Sequence, residues 1–596
     1  MNQNEIAWDL TELFDSAEDP TLKERVEWLH KTVDEIKQKY KGKINSSDFT
    51  ENQLLELLRD IEELMMNLSE YAQFASLTFS ANMTTIENQK LFNEMREITS
   101  EIEKKLAFVD IELGKLLLAN ESLIDSPVLR EYSHYLEKVK RHAPHMLSEA
   151  EEKIIIEKDK YGVSGWSQLQ SQWLNTRFFE VEVLGEKKKL TYGEANGLLS
   201  HPDQKTRESA YRAIYGELGK DEIIFSSALR NICADWVQVS KMRKYDSPMH
   251  QSLIVNDVDQ EIIDNLMIAI EKNTSLYQRY LKLKAKIMGQ EAPLKNWDVV
   301  APISTMVKEY NWEEARDLVI KAYQQFDEEY ATSTKEMFEK NHIDASPRFG
   351  KRNGAFCSGV YKKKNSYILQ TFSKSLRDIY TLAHELGHAT HNYYAFRNQT
   401  ILNSRAPMVT AETASIFGEL LLTDMLLNEI EDKEMKKEIL ARVLDGAGMA
   451  IFQVSARVFF EKDLYEAVER GEFLNGETIA KYWVKGRDKI YGDAMEWFDE
   501  MKWEWCMKPH YFMANFRFYN YPYVFAQLFV YSLYQKYIKE GKEFIPKFKQ
   551  LLSLGGSKSP KELGEIMGVD ITKPEFWDLG MKQYEHFVNE LEKLVE

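Results

Sequence analysis

The sequence predicts a mainly α-helical, multi-helix protein with a few small β elements, and three observations carry that expectation. Only 14 prolines and 27 glycines interrupt 596 residues. Apolar residues recur at helical spacing over most of the chain, and strand-like alternation is confined to two short stretches. With 44% hydrophobic and 12% aromatic residues, the chain can bury a large core and should contain more than one domain or lobe. The 29% of charged residues give the helices solvated outer faces.

In chain order, the first 150 residues alternate charged and apolar positions in long segments such as 51–68 and 91–118, which predicts antiparallel helices. Alternation over 178–184, a turn at Gly185-Glu186 and a return through Lys189-Leu190-Thr191-Tyr192 predict a small hairpin within 178–192. His201-Pro202-Asp203 precedes a new helix near Thr206 and marks a soft boundary, giving an N-terminal region 1–200 and a second domain 201–596. Helices continue past Lys286. A second β-rich patch is expected over 349–372, with a strand at 366–371 immediately before a helix over 374–396. Leu376, Ile379, Tyr380, Ala383 and Gly387 set the rhythm of that helix, and Leu386, Ala389 and Tyr393 add a second apolar flank. Ser373 or Ser375 could cap it. A strongly apolar helix follows over 407–422.

The formal charge of −18 and the lack of a basic stripe argue against a nucleic-acid partner. The lysine runs at 187–189 and 362–364 read as turns. Three cysteines, Cys233, Cys357 and Cys506, have no CxxC spacing, which argues against a disulfide framework; Cys357 reads as a small buried residue. The opening MNQNEIAWDL has neither a basic start nor an apolar signal core, and no apolar run approaches membrane-spanning length. A cytoplasmic protein without a membrane partner is expected.

Chemistry concentrates in His384-Glu385-Leu386-Gly387-His388. Four residues are about one helical turn, a rise of roughly 6 Å, so His384 and His388 lie one above the other while Glu385 is displaced around the helix. That is the layout of a zinc site with an adjacent general base. The bland alternative is a helix bearing two solvated or capped histidines, but both flanks are apolar, and ligation satisfies imidazoles in such a place. His391 sits about 10.5 Å along the axis from His384 and cannot share its ion on a straight helix. The longer zincin pattern also needs glycine where His391 stands and histidine where Tyr394 stands, so His391 reads as a packed neighbour. In the next helix Glu412 and Glu419 are seven residues apart and share a face. Carboxylates are costly there unless paired or metal-bound. Glu412, nearer the return from the first helix, is the third ligand; Glu419 is either an outer carboxylate fixing the tautomer of a ligand histidine or an ordinary salt-bridge partner of a basic side chain.

The run SLRDIYTLAHELGHATH at Ser375 to His391 and AETAS at Ala411 to Ser415 resemble the thimet oligopeptidase family of zinc metallopeptidases, within it the oligoendopeptidase F branch. WDLTELF at Trp8 to Phe14, GKRNGAFCSG at Gly350 to Gly359 and YILQTF at Tyr367 to Phe372 extend the resemblance over nearly the whole chain. It implies a zincin-like fold with a deep substrate cleft, one zinc per chain on His384, His388 and Glu412, and Glu385 as the catalytic base. It also implies endopeptidase action on internal bonds of short, unstructured oligopeptides. Glu385 would take a proton from zinc-bound water and return it to the leaving amine. An extended substrate could add itself to the 366–371 strand through main-chain hydrogen bonds.

Near the C-terminus, His510 and the tyrosines Tyr519 and Tyr523 resemble the segment that meets the scissile carbonyl in this family, where negative charge needs a donor. Pro522 interrupts the tyrosine run, and the offset from His510 differs from the animal branch, so Tyr519, Tyr523 and His510 all stand as donors. Phe516, Phe518, Tyr521 and Phe525 read as core. Two other readings stand beside this one: a helical zinc carboxypeptidase with the same motif, and a catalytically silent peptide-binding scaffold. The pattern specifies no oligomeric state.

Overall fold

The computed structural model describes residues 5–303, 308–514 and 516–596. The chain forms two compact units, each assembled from three segments: Met1–Met146, Val307–Asn428 and Lys536–Asp570 in the first, and Leu147–Met306, Glu429–Gln535 and Ile571–Glu596 in the second.

The first unit opens with three long helices, α1 (Pro20–Tyr40), α2 (Glu51–Ala81) and α3 (Ile86–Ala119). Asp19 caps α1, and Thr50 with Gln53 forms a capping box on α2, so orphan N–H groups are met by side chains where each helix begins. Leu54, Leu57, Leu58, Ile61 and Leu64 follow the 3–4 spacing of one helix face. They pack with Leu29 and Val33 of α1 and Ile98 and Ile102 of α3 in a core that reaches Val360 and Tyr367 of a small sheet.

That sheet is the expected β patch. Its strands β1 (Ile343–Asp344), β2 (Phe356–Val360) and β3 (Asn365–Leu369) lie in the order β1-β3-β2, with β1 parallel and β2 antiparallel to β3. One expectation changes here. The strand before the site helix is central, since Ile368 and Gln370 donate to His342 and Asp344 on one side while β2 pairs on the other. The edges are therefore β1, beside which Ala345 and Ser346 donate to Ile6 and Asp9 donates to Asn341, and β2, which lines the site cavity described below. Of the lysine runs, Lys362 and Lys363 do lie in a turn, facing Glu70, but 187–189 lies in a strand, not a turn.

Helix α4 (Leu376–Asn398) starts at Ser375, whose side chain caps it in a box with Asp378. Helix α5 (Thr413–Glu429) packs Phe417 against Phe326, Tyr537 and Phe548. These aromatic contacts seat α5 in the core of the first unit.

In the second unit the expected hairpin forms, pairing 178–183 with 186–191, but its turn is Leu184-Gly185 and not Gly185-Glu186: Leu184 (φ 52°) and Gly185 (φ 87°) supply the two left-handed positions, and Glu186 pairs in the strand. The helices used below are α6 (Val454–Glu469), α7 (Gly476–Tyr491) and α8 (Tyr521–Glu540). A π turn over Met449–Gln453 joins α6 to the preceding helix in a continuous run, Lys433–Glu469. By length and composition alone this run passes as a membrane span, contrary to the sequence reading. Yet 61% of its apolar window is buried within the protein, as a core helix's would be.

Candidate active site

His384 and His388 stand one turn apart on α4 with ring centroids 4.9 Å apart. Glu412 occupies the break between a one-turn helix, Met408–Ala411, and α5. From there its Oε2 lies 3.2 Å from His384 Nε2 and 3.3 Å from His388 Nε2. Ser415 Oγ donates to the same carboxylate oxygen at 2.7 Å. Gly387 lets α5 come this close: a Cβ there would sit 2.5 Å from the Ala414 carbonyl oxygen and from Ser415 Cα. Glu419, one of whose two expected roles was a bridge to a basic side chain, instead meets His384 Nδ1 at 2.6 Å, and among the described residues it pairs with no lysine or arginine.

This donor set fits a metal ion. With Glu419 accepting the Nδ1 proton, a neutral His384 turns its Nε2 lone pair toward the Glu412 carboxylate, a facing that calls for a proton or a metal ion between the two atoms. Ligands at ~2.0–2.1 Å around a tetrahedral zinc are about 3.3–3.4 Å apart, close to the two separations seen here. Among the described residues His384, His388 and Glu412 are the group whose ligand atoms converge in this way, all within 4.8 Å of one another. Electrostatics agree. Burial opposes charge on His384, but the Glu412 and Glu419 carboxylates overcome it and hold the imidazolium well above its ordinary range. Burial likewise opposes charge on Glu412, and the two histidines push its carboxyl far below the usual carboxylate range. The site thus favours positive charge at its centre.

Glu385 is 7% exposed, and burial raises its pKa, the direction a general base needs. His391 is buried; burial first, then His388, lowers it to about 4, so it stays neutral, and its ring bonds the Ala411 backbone beside Glu412. A cavity of about 590 Å³ opens on His384, Glu385 and His388, with β2 residues Cys357 and Ser358 and the exposed Arg405 in its wall. Cys357 is therefore half-buried at the cavity rather than a core residue. Sequence reasoning gave Gly387 only a place in the helical rhythm. The available signal was a glycine inside a helix, which is costly without a packing reason.

The C-terminal cluster belongs to the second unit. The Tyr519 and Tyr523 hydroxyls hydrogen-bond each other, with ring centroids 4.9 Å apart. They do not share a helix face, because α8 begins only at Tyr521. They meet across the turn at Asn520, and Pro522 sits in the first helical turn, where its missing N–H costs nothing. Tyr521 turns away into the core, donating to the Ser252 carbonyl at 3.0 Å, while Phe516 is 40% exposed and not the core residue expected. Behind them the buried Glu461 accepts from Phe518 N at 2.7 Å and Asn520 Nδ2 at 3.2 Å, holding Phe518 at φ 55°. His510 lies 6.2 Å from the Tyr519 ring; burial, then Arg457 and Lys508, lowers it to about 3, so it is a neutral imidazole.

Comparison with known proteins points the same way. The sequence profile of Peptidase family M3 matches residues 197–583, and that of Oligopeptidase F matches 120–175. The chain is 27% identical to Oligopeptidase PepF of Bacillus subtilis (strain 168) over 99% of this chain and 87% of that protein. It is also 27% identical to an oligoendopeptidase F homolog of Lactococcus lactis subsp. lactis (strain IL1403), covering 100% of this chain and 99% of the relative. A solved structure from Chlamydophila abortus shares the fold at TM-score 0.87 and 24% identity, covering 99% and 98% of the two chains. Oligoendopeptidase-F from Enterococcus faecium does so at TM-score 0.70 and 23% identity over 96% and 98%. The histidine pair, the facing glutamate and these likenesses together make the chain a metallo-oligopeptidase that belongs to peptidase family M3, in its oligoendopeptidase F branch.

Proposed function

We propose that the protein is a zinc-dependent endopeptidase that hydrolyses internal bonds of short, unstructured oligopeptides, with one zinc per chain held by His384, His388 and Glu412. The convergence of both Nε2 atoms on one Glu412 oxygen, 3.2 and 3.3 Å away, carries this reading. A zinc ion bound there supplies Lewis acidity and lowers the pKa of water. Glu419 holds the His384 tautomer. Glu385 takes the proton of the attacking water and returns it to the leaving nitrogen, work that suits a buried carboxylate of raised pKa opening on the same cavity.

The free edge of β2 offers main-chain donors and acceptors along the cavity, a recognition mode that ignores side-chain identity and suits varied peptides. The oxyanion donor is assigned to Tyr519, Tyr523 or His510, on the family resemblance of their segment and on the need for a neutral donor where charge develops. A cytoplasmic location and chemistry housed within residues 201–596 belong to the same proposal.

A digest of a mixed peptide library by the zinc-replete enzyme, with products mapped by mass spectrometry, tests it. Internal cleavage that disappears on chelation is expected. Sequential loss of single C-terminal residues would give the site to a carboxypeptidase, and no cleavage at all would leave a peptide-binding scaffold.

A further inference from the structure

The second unit contains a small, partly open cavity of about 30 Å³ that none of the chemistry above uses, walled by Arg457 of α6, Trp483 and Arg487 of α7, and Trp497 and Glu504. Its donors are in excess. Trp483 is 5% exposed and its indole N–H is buried without an acceptor; the indole N–H of Trp497 is also buried and unmet. A buried donor left unpaired costs about 1–3 kcal/mol, so something belongs against these two.

Charge points to what it is. Arg487 is balanced by Asp488, to whose Oδ1 it donates at 2.9 Å, and its guanidinium stacks over Trp497 at 4.2 Å from the ring centroid. Glu504, the carboxylate in the wall, is taken up by Lys508 at 2.7 Å. Arg457 makes no ion pair among the described residues, and its field with that of Lys508 lowers the Glu504 carboxyl; Arg457, Arg487 and Lys508 set against Glu504 and Asp488 still leave one net positive charge around the wall. A water molecule accepts from two donors at most and balances no charge, whereas a monatomic anion accepts from every donor around it. The volume suits one or two water-sized bodies and is too small for a polyatomic organic anion.

We propose that this cavity is a halide site, in which one chloride ion lies against the Arg457 guanidinium and accepts the indole N–H groups of Trp483 and Trp497. The ion ties α6 to α7. It also offsets the positive field that Arg457 exerts on His510 and Lys508.

The test uses the full-length, zinc-replete enzyme at constant ionic strength, with sodium gluconate replaced stepwise by sodium chloride or bromide. A saturable rise in thermal midpoint of about 1–3 °C is expected for both halides and none for gluconate. A crystal soaked in bromide should show an anomalous peak between Arg457 and the two indoles. Arg457→Gln should abolish the halide-specific rise. If that variant does not fold, Trp483→Phe, which keeps the ring and removes one donor, should raise the halide concentration at half-effect by about tenfold. Superimposable chloride and gluconate melts, or no bromide peak in this cavity, would show that it holds only water and overturn the proposal.

Discussion

Gly387 sets the distance between the two helices that carry the proposed zinc ligands, so Gly387→Ala should damage the proposed centre without altering a ligand. The added Cβ would lie 2.5 Å from the Ala414 carbonyl oxygen and Ser415 Cα, and 2.7 Å from the Ala414 carbonyl carbon. These are backbone atoms and cannot swing aside as a side-chain tip does. To regain ordinary contact α4 and α5 must part by about 0.9 Å, an overpacking that costs roughly 1–3 kcal/mol. Alanine returns up to ~1 kcal/mol through its better helix propensity, so with the full return the net loss is about 0–2 kcal/mol. Glu412 is two residues before Ala414 and moves with it, and its separations of 3.2 and 3.3 Å from the imidazole nitrogens widen toward about 4 Å. Metal sites tolerate about ±0.2 Å in their bond lengths, so zinc affinity should fall about 10- to 100-fold, as when outer partners of a site are lost. Thermal melting reads the stability, and competition with a chromogenic chelator reads the affinity. A Gly387→Ala enzyme with wild-type midpoint and wild-type zinc affinity refutes the reasoning.

Glu385→Gln keeps the shape of the base but cannot take a proton; kcat should fall at least ~10²-fold with zinc content unchanged, and an active, metal-replete variant would remove Glu385 from its role. Loss of the oxyanion donor, tested with Tyr519→Phe and Tyr523→Phe, should lower kcat about 10²-fold, roughly 2.7 kcal/mol, with little change in KM, while Tyr521→Phe stays near wild type. If both of the first two variants keep wild-type kcat, the role passes to His510. Glu461 is pushed up to about 7 by burial from an ordinary 4.5, so the folded state binds its proton more tightly. Its contribution to stability is then full below about pH 4.5 and is lost as the pH rises to about 7; the wild-type midpoint should fall over that window relative to Glu461→Gln, and parallel curves would count against it. Zinc at 100 times its Kd should stabilise the fold by about 2.7 kcal/mol, an increment that chelation removes and Glu412→Ala largely abolishes; an unchanged melt in excess chelator would contradict a site of this affinity.

Much of this was legible in the sequence because it is written locally. Periodicity gave the helices over 51–68 and 91–118, the alternation at 178–184 gave the hairpin, and Ser375, one of two candidate caps, marked the start of α4. What local pattern does not contain is which strand is interior. The apolar run at 365–369 looks like any buried strand, and only the pairing of Ile343–Asp344 from outside it leaves β2 as an edge. The contact of Tyr519 with Tyr523 comes from the turn pinned by Glu461, 57 residues from Phe518 in sequence, and no local pattern contains it. The two units alternate along the chain, and no shift in composition marks each crossing.

The spacing of HExxH settles less than its fame suggests. It fixes the rise between two imidazoles on one helix and says nothing about where a third ligand from another helix will arrive. In this chain the position of Glu412, the proposed third ligand, depends on residues outside the proposed ligand set. Gly387 allows the close approach, the His391 ring bonds the backbone of Ala411, and Ser415 donates to the Glu412 carboxylate itself. Glu419 fixes the other partner, turning His384 so that Nε2 and not Nδ1 faces Glu412. Each acts on one coordinate: helix separation, the backbone before the ligand, the carboxylate rotamer and the imidazole tautomer. A helix with the same five letters but a larger residue at 387, or none of these supports, would carry the motif and hold its third ligand too far away to complete the site.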